Sequence, residues 1–436
     1  MISSRLFVTL VAALTLIGCG SDPGFDEETD FIRKEGGVQF VNMIPDSPEL
    51  TMFHGLNNQR IRFPFTTGGE VSFEDRYDWR LAYRDSNLDE ITVAEGKNQQ
   101  ITENTLSTFL FMGSLAQPSI EIVDVALPPF ADRTEGSAVL WFAANLSSVS
   151  MVDLYLLDSD ATLAASAPLA SLTSGSFTTT FIVDSGENRQ LVITVAGSQD
   201  ILFDSGPITL PDRSVDLFAL VDDFGPGGEN HIDVIRGTSS NRSIMPDVSQ
   251  ATMSRTSNFS SLNDLTVMFG ERSSPVRDPE NQTPYSETAG GDQVINISQN
   301  TSTIFEDSAD LFAGGFHSFL IFDGPDSDTP VAPILVRDEY REISDRVYFQ
   351  FINGSSETID FYALTRDQET DDTAPVLNDA QSLASGINEV PTGDTRFIVQ
   401  TADNEETLGS AQLNLESGTT YTLVYDSNNG LSALEN

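Results

Sequence analysis

The chain has 436 residues, which at roughly 100–200 residues per domain is too long for one small domain. It carries 66 acidic against 22 basic residues, a formal net charge of −44. That balance excludes nucleic-acid binding, which needs a basic face against phosphate, and excludes electrostatic docking on anionic lipid. One cysteine, Cys19, excludes a disulfide within the chain and a cysteine-built zinc site. A hydrophobic fraction of 39% is enough to build cores, so the acidity does not mean disorder.

Residues 1–18 read as a signal peptide: one positive charge at Arg5, then a twelve-residue apolar run over 6–17. That run is too short to span a bilayer comfortably and suits a signal core. It ends Leu16-Ile17-Gly18-Cys19. The tetrapeptide resembles the bacterial lipobox, and the resemblance implies cleavage between Gly18 and Cys19 with diacylglyceryl transfer to the Cys19 thiol. Several acyl chains make a stable anchor where one is marginal. Gly20, not aspartate, follows the cysteine, which resembles outer-membrane rather than inner-membrane lipoproteins. Residues 19–36 are small, polar and acidic and are expected to form a flexible tether. The expected location is therefore lipid-anchored at the outer membrane or cell surface.

The body repeats. Residues 38–53 (VQFVNMIPDSPELTMF) alternate, break at two prolines and alternate again, which predicts strand, loop, strand. Pro45 and Pro48 belong in the connection because proline gives the ladder no donor, and Asn42 and Asp46 are suited to bond nearby backbone. The outline returns at 140–155, with Ala144 opposite Asn42, and at 349–362, with Asn353 opposite Asn42. The double gap between those copies predicts another within 255–269, in ambiguous register. Each unit closes on an apolar strand, such as 108–112, 215–221, 317–322 and 421–425. Period-two alternation without helical periodicity predicts an all-β chain of sandwiches or barrels. Four repeats are expected at 37–116, 136–224, 249–325 and 344–428. The intervening segments, 117–135, 225–250 and 324–343, are expected as connectors, with Gly225-Pro226-Gly227-Gly228 read as linker.

The run Val41-Asn42-x-x-Pro45-Asp46-Ser47-Pro48 and the closing Tyr421-Thr422-Leu423-Val424 resemble a bacterial family of undefined function. Its repeats open V-N-A-S-P-D-A-P-x-V-D-V-Y and end in a Y-T-L-V strand. The resemblance implies four tandem immunoglobulin-like antiparallel β-sandwiches on a secreted or surface-anchored protein. It supplies no catalytic residues, so Asn42, Pro45, Asp46 and Pro48 are structural turn residues.

Chemistry is sparse. No G-x-S-x-G, H-E-x-x-H or P-loop occurs, and the histidines His54, His231 and His317 fall in three different units. Acidic pairs such as Asp222-Asp223 are expected on solvated faces in so acidic a chain, and two carboxylates at a fixed separation across a cleft would be needed for glycoside hydrolysis. Calcium is the one cofactor considered, at the loop of Asp323, Asp326 and Asp328 and at the acidic run 367–372, because extracellular sites use such oxygens. Trp79 and Trp141 are the aromatics weighed as stacking platforms against a packing role. The expected function is a non-enzymatic adhesion, binding or spacer module that touches a protein or polysaccharide. A periplasm-facing structural or assembly lipoprotein is the alternative, and a carbohydrate-active hydrolase the remote one.

Overall fold

Alternating residues from Glu35 onward pair into sheets because each strand has one apolar face to hide. A computed structural model describes residues 35–435, apart from 56, 65–69, 74–75, 86, 88, 159–160, 227–229, 239–241, 279–284, 366–367 and 404–405. Cys19, Gly18 and nearly all of the expected tether lie outside the described residues, as do Gly227 and Gly228 of the expected linker.

The first unit sets the pattern. Its opening strand, Glu35–Asn42, lies between Glu70–Phe73 and the closing strand Thr105–Ser114, and the final strand Gln117–Ala126 completes that sheet. The second sheet runs Asn57–Ile61, Leu50–His54, Arg76–Arg84, Glu90–Gln100. Opening and closing strands are parallel, whereas the hairpins are antiparallel. A parallel neighbour needs a crossover, and here the chain makes it through the second sheet. The same parallel pairing recurs between Ser137–Asn145 and Val215–Phe224, Thr252–Asn258 and Phe316–Asp323, and Arg346–Asn353 and Thr420–Asp426. The described residues are thus all-β, with eight sheets among them that form four sandwiches, and each sandwich has its own buried cluster.

The register fixes the repeat. Asn42 stands opposite Phe111, Ala144 opposite Leu220, Asn258 opposite Ile321 and Asn353 opposite Tyr425, and all four partners point into a core. Asn258 is therefore the third unit's equivalent. Each asparagine accepts the amide two residues on, at Ile44, Ser260 and Ser355, over 2.9–3.1 Å. This Asx turn satisfies a backbone donor as the chain leaves the sheet. In the second unit, where Ala144 lacks the group, Ser174 Oγ accepts from Leu146 N instead (2.8 Å).

The expected connectors are corrected in one respect. They contain the final strands Gln117–Ala126, Asn230–Thr238 and Val331–Asp338, and Gly430–Glu435 is the fourth counterpart; each pairs with its closing strand. Polar residues on their outward positions and Pro118 and Pro333 disguised them.

The units also do not trail as a string. The outer faces of the first two opening sheets meet: Val41, Met43, Leu110 and Met112 pack on Trp141, Ala143, Leu217 and Ala219. The third and fourth meet likewise through Phe259, Leu320, Phe322, Ile352 and Val424. The second touches the third, where Asp247 N donates to Ala313 O (3.0 Å) and His231 packs on Phe316. The fourth returns to the first, where Glu49 N donates to Glu389 Oε2 (2.6 Å). The result is a closed ring, because sheet faces apolar on both sides have to be covered.

Gly354 shows how tight one seam is. A Cβ there would stand 2.1 Å from Cε1 of Phe322. Gly354→Ala is expected to cost about 1–3 kcal/mol by overpacking in urea titrations. Phe322→Leu in the same chain should restore part of the loss. No change in midpoint for Gly354→Ala would show that the seam is loose.

Candidate functional site

A concave cleft beside a cluster of charge lies where the ring closes. The floor is the outward face of the first unit's second sheet, with Thr51 and Phe53 from Leu50–His54, Asn58 and Arg60 from Asn57–Ile61, and Ala82 and Arg84 from Arg76–Arg84. The wall is the fourth unit, with Arg346 from Arg346–Asn353 and Asn388 and Glu389 from Ser385–Pro391. Glu49, Arg62, Tyr83 and Glu90 complete a cleft of about 580 Å³, within the range of about 300–1,000 Å³ usual for ligand pockets.

Alternation places these side chains. Leu50 and Met52 are buried in the core, so Thr51 and Phe53 point outward. The guanidinium of Arg80, paired with Glu90, covers one face of the Phe53 ring at 4.2 Å from its centroid.

The charges divide into a braced set and a free set. Arg62 Nε donates to Glu49 Oε2 (2.8 Å). Burial alone would lower the Arg62 pKa, but the Glu49 hydrogen bond and the charges of Glu49 and Glu389 raise it above its ordinary value. Arg346 Nη2 donates to Arg84 O (2.7 Å) and stitches the two units. Arg60 has only a 3.5 Å approach to Glu49 and its side chain is 79% exposed. Arg84 is exposed, and its guanidinium makes no hydrogen bond or ion pair among the described residues. Four arginines meet three glutamates here. Glu49, Glu389 and Glu90 are already engaged, and Asp85 and Asp345 act on Tyr83, and Asp85 on Arg346, from nearby, so among the lining residues arginine outnumbers glutamate on a chain of net charge −44.

The residues picked out in the sequence lie elsewhere or serve structure. Asn42 Nδ2 donates to Ser47 Oγ (2.9 Å), and Asp46 Oδ1 accepts Leu115 N (2.8 Å) while its carbonyl accepts Ser344 N (2.9 Å). Pro48 is buried and Pro45 half-buried in the same turn. Asp323 accepts Ser261 N (2.8 Å) and Asn428 Nδ2 (2.6 Å). Asp326 accepts the amides of Asp328 and Thr329, and these bonds hold its carboxyl below its ordinary pKa. Asp328 stays exposed. Among the described residues no group of three or more His, Cys, Asp or Glu could hold a metal ion, so the loop's carboxylates do not converge. Asp367 lies outside the described residues.

His54 packs against Tyr77 and Phe109, and burial lowers its pKa. His317 is buried, with Nε2 3.2 Å from Phe312 O. Both are core histidines. Asp222 accepts Ser147 N (2.6 Å). Asp223 is lifted well above the usual carboxylate pKa by burial and by the charge of Asp233. Trp141 is 1% exposed in the seam of the first two units, and Trp79 packs edge-on to Phe109 at 5.6 Å. Neither is a stacking platform.

The cleft itself was missed in the sequence. The available signal was basic density: Arg60, Arg62, Arg76, Arg80 and Arg84 sit close together in a chain with only 22 basic residues.

No family model matches the chain and no curated protein matches it. Among solved structures it is similar to a carbohydrate-binding module of family CBM26 from Eubacterium rectale Amy13K, in complex with maltoheptaose, at 11% identity. The match covers 48% of this chain and 95% of that one at a TM-score of 0.16, too low to carry an argument about fold or ligand.

Proposed function

We propose that this chain is a lipid-anchored bacterial envelope protein, moored through Cys19 and displayed outside the cytoplasm, that binds a ligand without transforming it in the cleft between its first and fourth units. The cleft is the observation that carries the reading: surplus arginine, a flat aromatic and amide side chains gathered on a rigid sheet face. Rigid elements hold such groups more precisely than loops do. Support for the anchor is the run Leu16-Ile17-Gly18-Cys19 after an apolar core, which resembles the lipobox. The closed ring favours a binding body over a long arm, because its faces are spent on each other.

Two measurements on the protein in a Gram-negative host test this. Wild type should sediment with membranes and incorporate an alkyne-palmitate label, and Cys19→Ala should do neither. Added protease should shave the domains from intact cells. An unlabelled wild-type protein would overturn the anchor, and full protection from protease would overturn display at the surface.

A further inference from the structure

Resting on that reading, we infer that the cleft takes an anionic polysaccharide, with Arg60 and Arg84 binding its carboxylates and Phe53, Asn58 and Asn388 meeting its rings and hydroxyls.

Charge sets the ligand's sign. Glu49 is held by Arg62 at 2.8 Å, Glu90 by Arg80, and Glu389 by the amide of Glu49 and by Arg341. Arg60 and Arg84 remain exposed at the mouth. A guanidinium presents a planar fork that matches a carboxylate in two-point contact. On a chain of net charge −44, the unpaired guanidinium of Arg84 and the exposed one of Arg60, which only approaches Glu49 at 3.5 Å, select an anion that also has other means of holding on.

The floor sets the ligand's kind. Leu50–His54 is paired on both sides, by Asn57–Ile61 and Arg76–Arg84, so its backbone groups are used. A peptide could add main-chain bonds only along the outer edges of Asn57–Ile61 and Ser385–Pro391, not across the middle of the floor where Thr51 and Phe53 lie. The face instead offers a ring at Phe53, amides at Asn58 and Asn388, a hydroxyl at Thr51 and the phenol of Tyr83. Such groups suit a chain of flat rings rich in hydroxyls. The braced arginines, Arg62 and Arg346, keep the wall in place.

The test is affinity electrophoresis of the full-length protein through gels containing polygalacturonate, with dextran as the neutral polymer. Wild type should be retarded by polygalacturonate and not by dextran, with retardation falling as salt rises. Arg60→Glu and Arg84→Glu should each weaken it roughly tenfold, the worth of one charge-assisted contact. Arg272→Glu, on the third unit and 51% exposed, should leave it unchanged. Unchanged retardation in the Arg60→Glu/Arg84→Glu double variant would overturn the assignment to this cleft. Retention by dextran that Phe53→Ala abolishes would refute the charge class and leave the binding reading standing. No retention by either polymer would count against both. Circular dichroism melting identical to wild type keeps the variants interpretable, since both arginines are exposed.

Discussion

Replacing Trp141 by alanine is expected to lower the unfolding free energy by about 3–5 kcal/mol, the usual cost of deleting a buried large aromatic. The ring is 1% exposed and sits not in either sandwich core but between two of them, among Val41, Met43, Leu110 and Met112 on one side and Ala143, Leu217 and Ala219 on the other. The two faces cannot collapse freely onto the vacancy, because each is a sheet braced by its own core. Asn145 pins the same seam, with Nδ2 donating to Met43 O (2.6 Å) and Gly113 O (3.0 Å) and Oδ1 accepting Gly113 N (3.0 Å). Once the tryptophan is gone, water reaches these bonds. Guanidinium titration read by the fluorescence of Trp79, the chain's other tryptophan, should show the midpoint falling, and small-angle scattering should show the first two units separating before either melts. Trp141→Phe should lose less than half as much. If Trp141→Ala stays within 1 kcal/mol of wild type, the two sheets do not face each other in solution.

That position shows how far the sequence carried. The alternation rule assigns residue 141 to the outward face together with Gln39 and Gln350, and the structure agrees. An outward tryptophan can meet solvent or another domain, and this one packs in the seam between two units. The clue was the run Leu140 to Ala144, apolar at every position, as are strands buried on both faces. The all-β class, the Asx turn at Asn42 and its copy at Asn353 were legible because two-residue periodicity and turn chemistry are local. The register of the third unit was not, because Thr252–Asn258 (TMSRTSN) carries Ser254, Thr256 and Arg255 where the other opening strands are richer in apolar residues. Arg255 is buried there by bonding Ser318 Oγ (2.7 Å), with Asp338 nearby (3.7 Å), a long-range partnership that no window of sequence displays. Beyond the basic density of its floor, the cleft could not be read for the same reason: floor and wall belong to the first and fourth units, and only the ring's closure brings them together.

The closure itself depends on Arg341, and its loss is the second large effect. Arg341 lies just after the third unit and is 6% exposed. Its Nη2 donates to Ser47 O (2.7 Å) and its Nη1 to Phe63 O (3.3 Å). The guanidinium stacks 4.8 Å from the Phe63 ring and stands 3.6 Å from Glu389 Oε1, a side chain equally buried. Breaking a buried pair by removing one partner typically costs about 3–5 kcal/mol, because the remaining charge is left uncompensated. Arg341→Ala also strands the carbonyls of Ser47 and Phe63, so the expected loss lies in that range. The double variant Arg341→Met/Glu389→Gln should recover much of it, since an apolar chain beside a neutral amide leaves no buried charge. A double-mutant cycle by chemical denaturation isolates this coupling. The same variants separate architecture from recognition. With the fourth unit loosened, Asn388 and Arg346 no longer face Phe53 and Arg60, so Arg341→Ala should lose polygalacturonate retention although Arg60 and Arg84 are intact. The double variant should regain retention along with stability. Retention that survives the loss of the seam would place the binding groups wholly on the first unit and remove the fourth from the site.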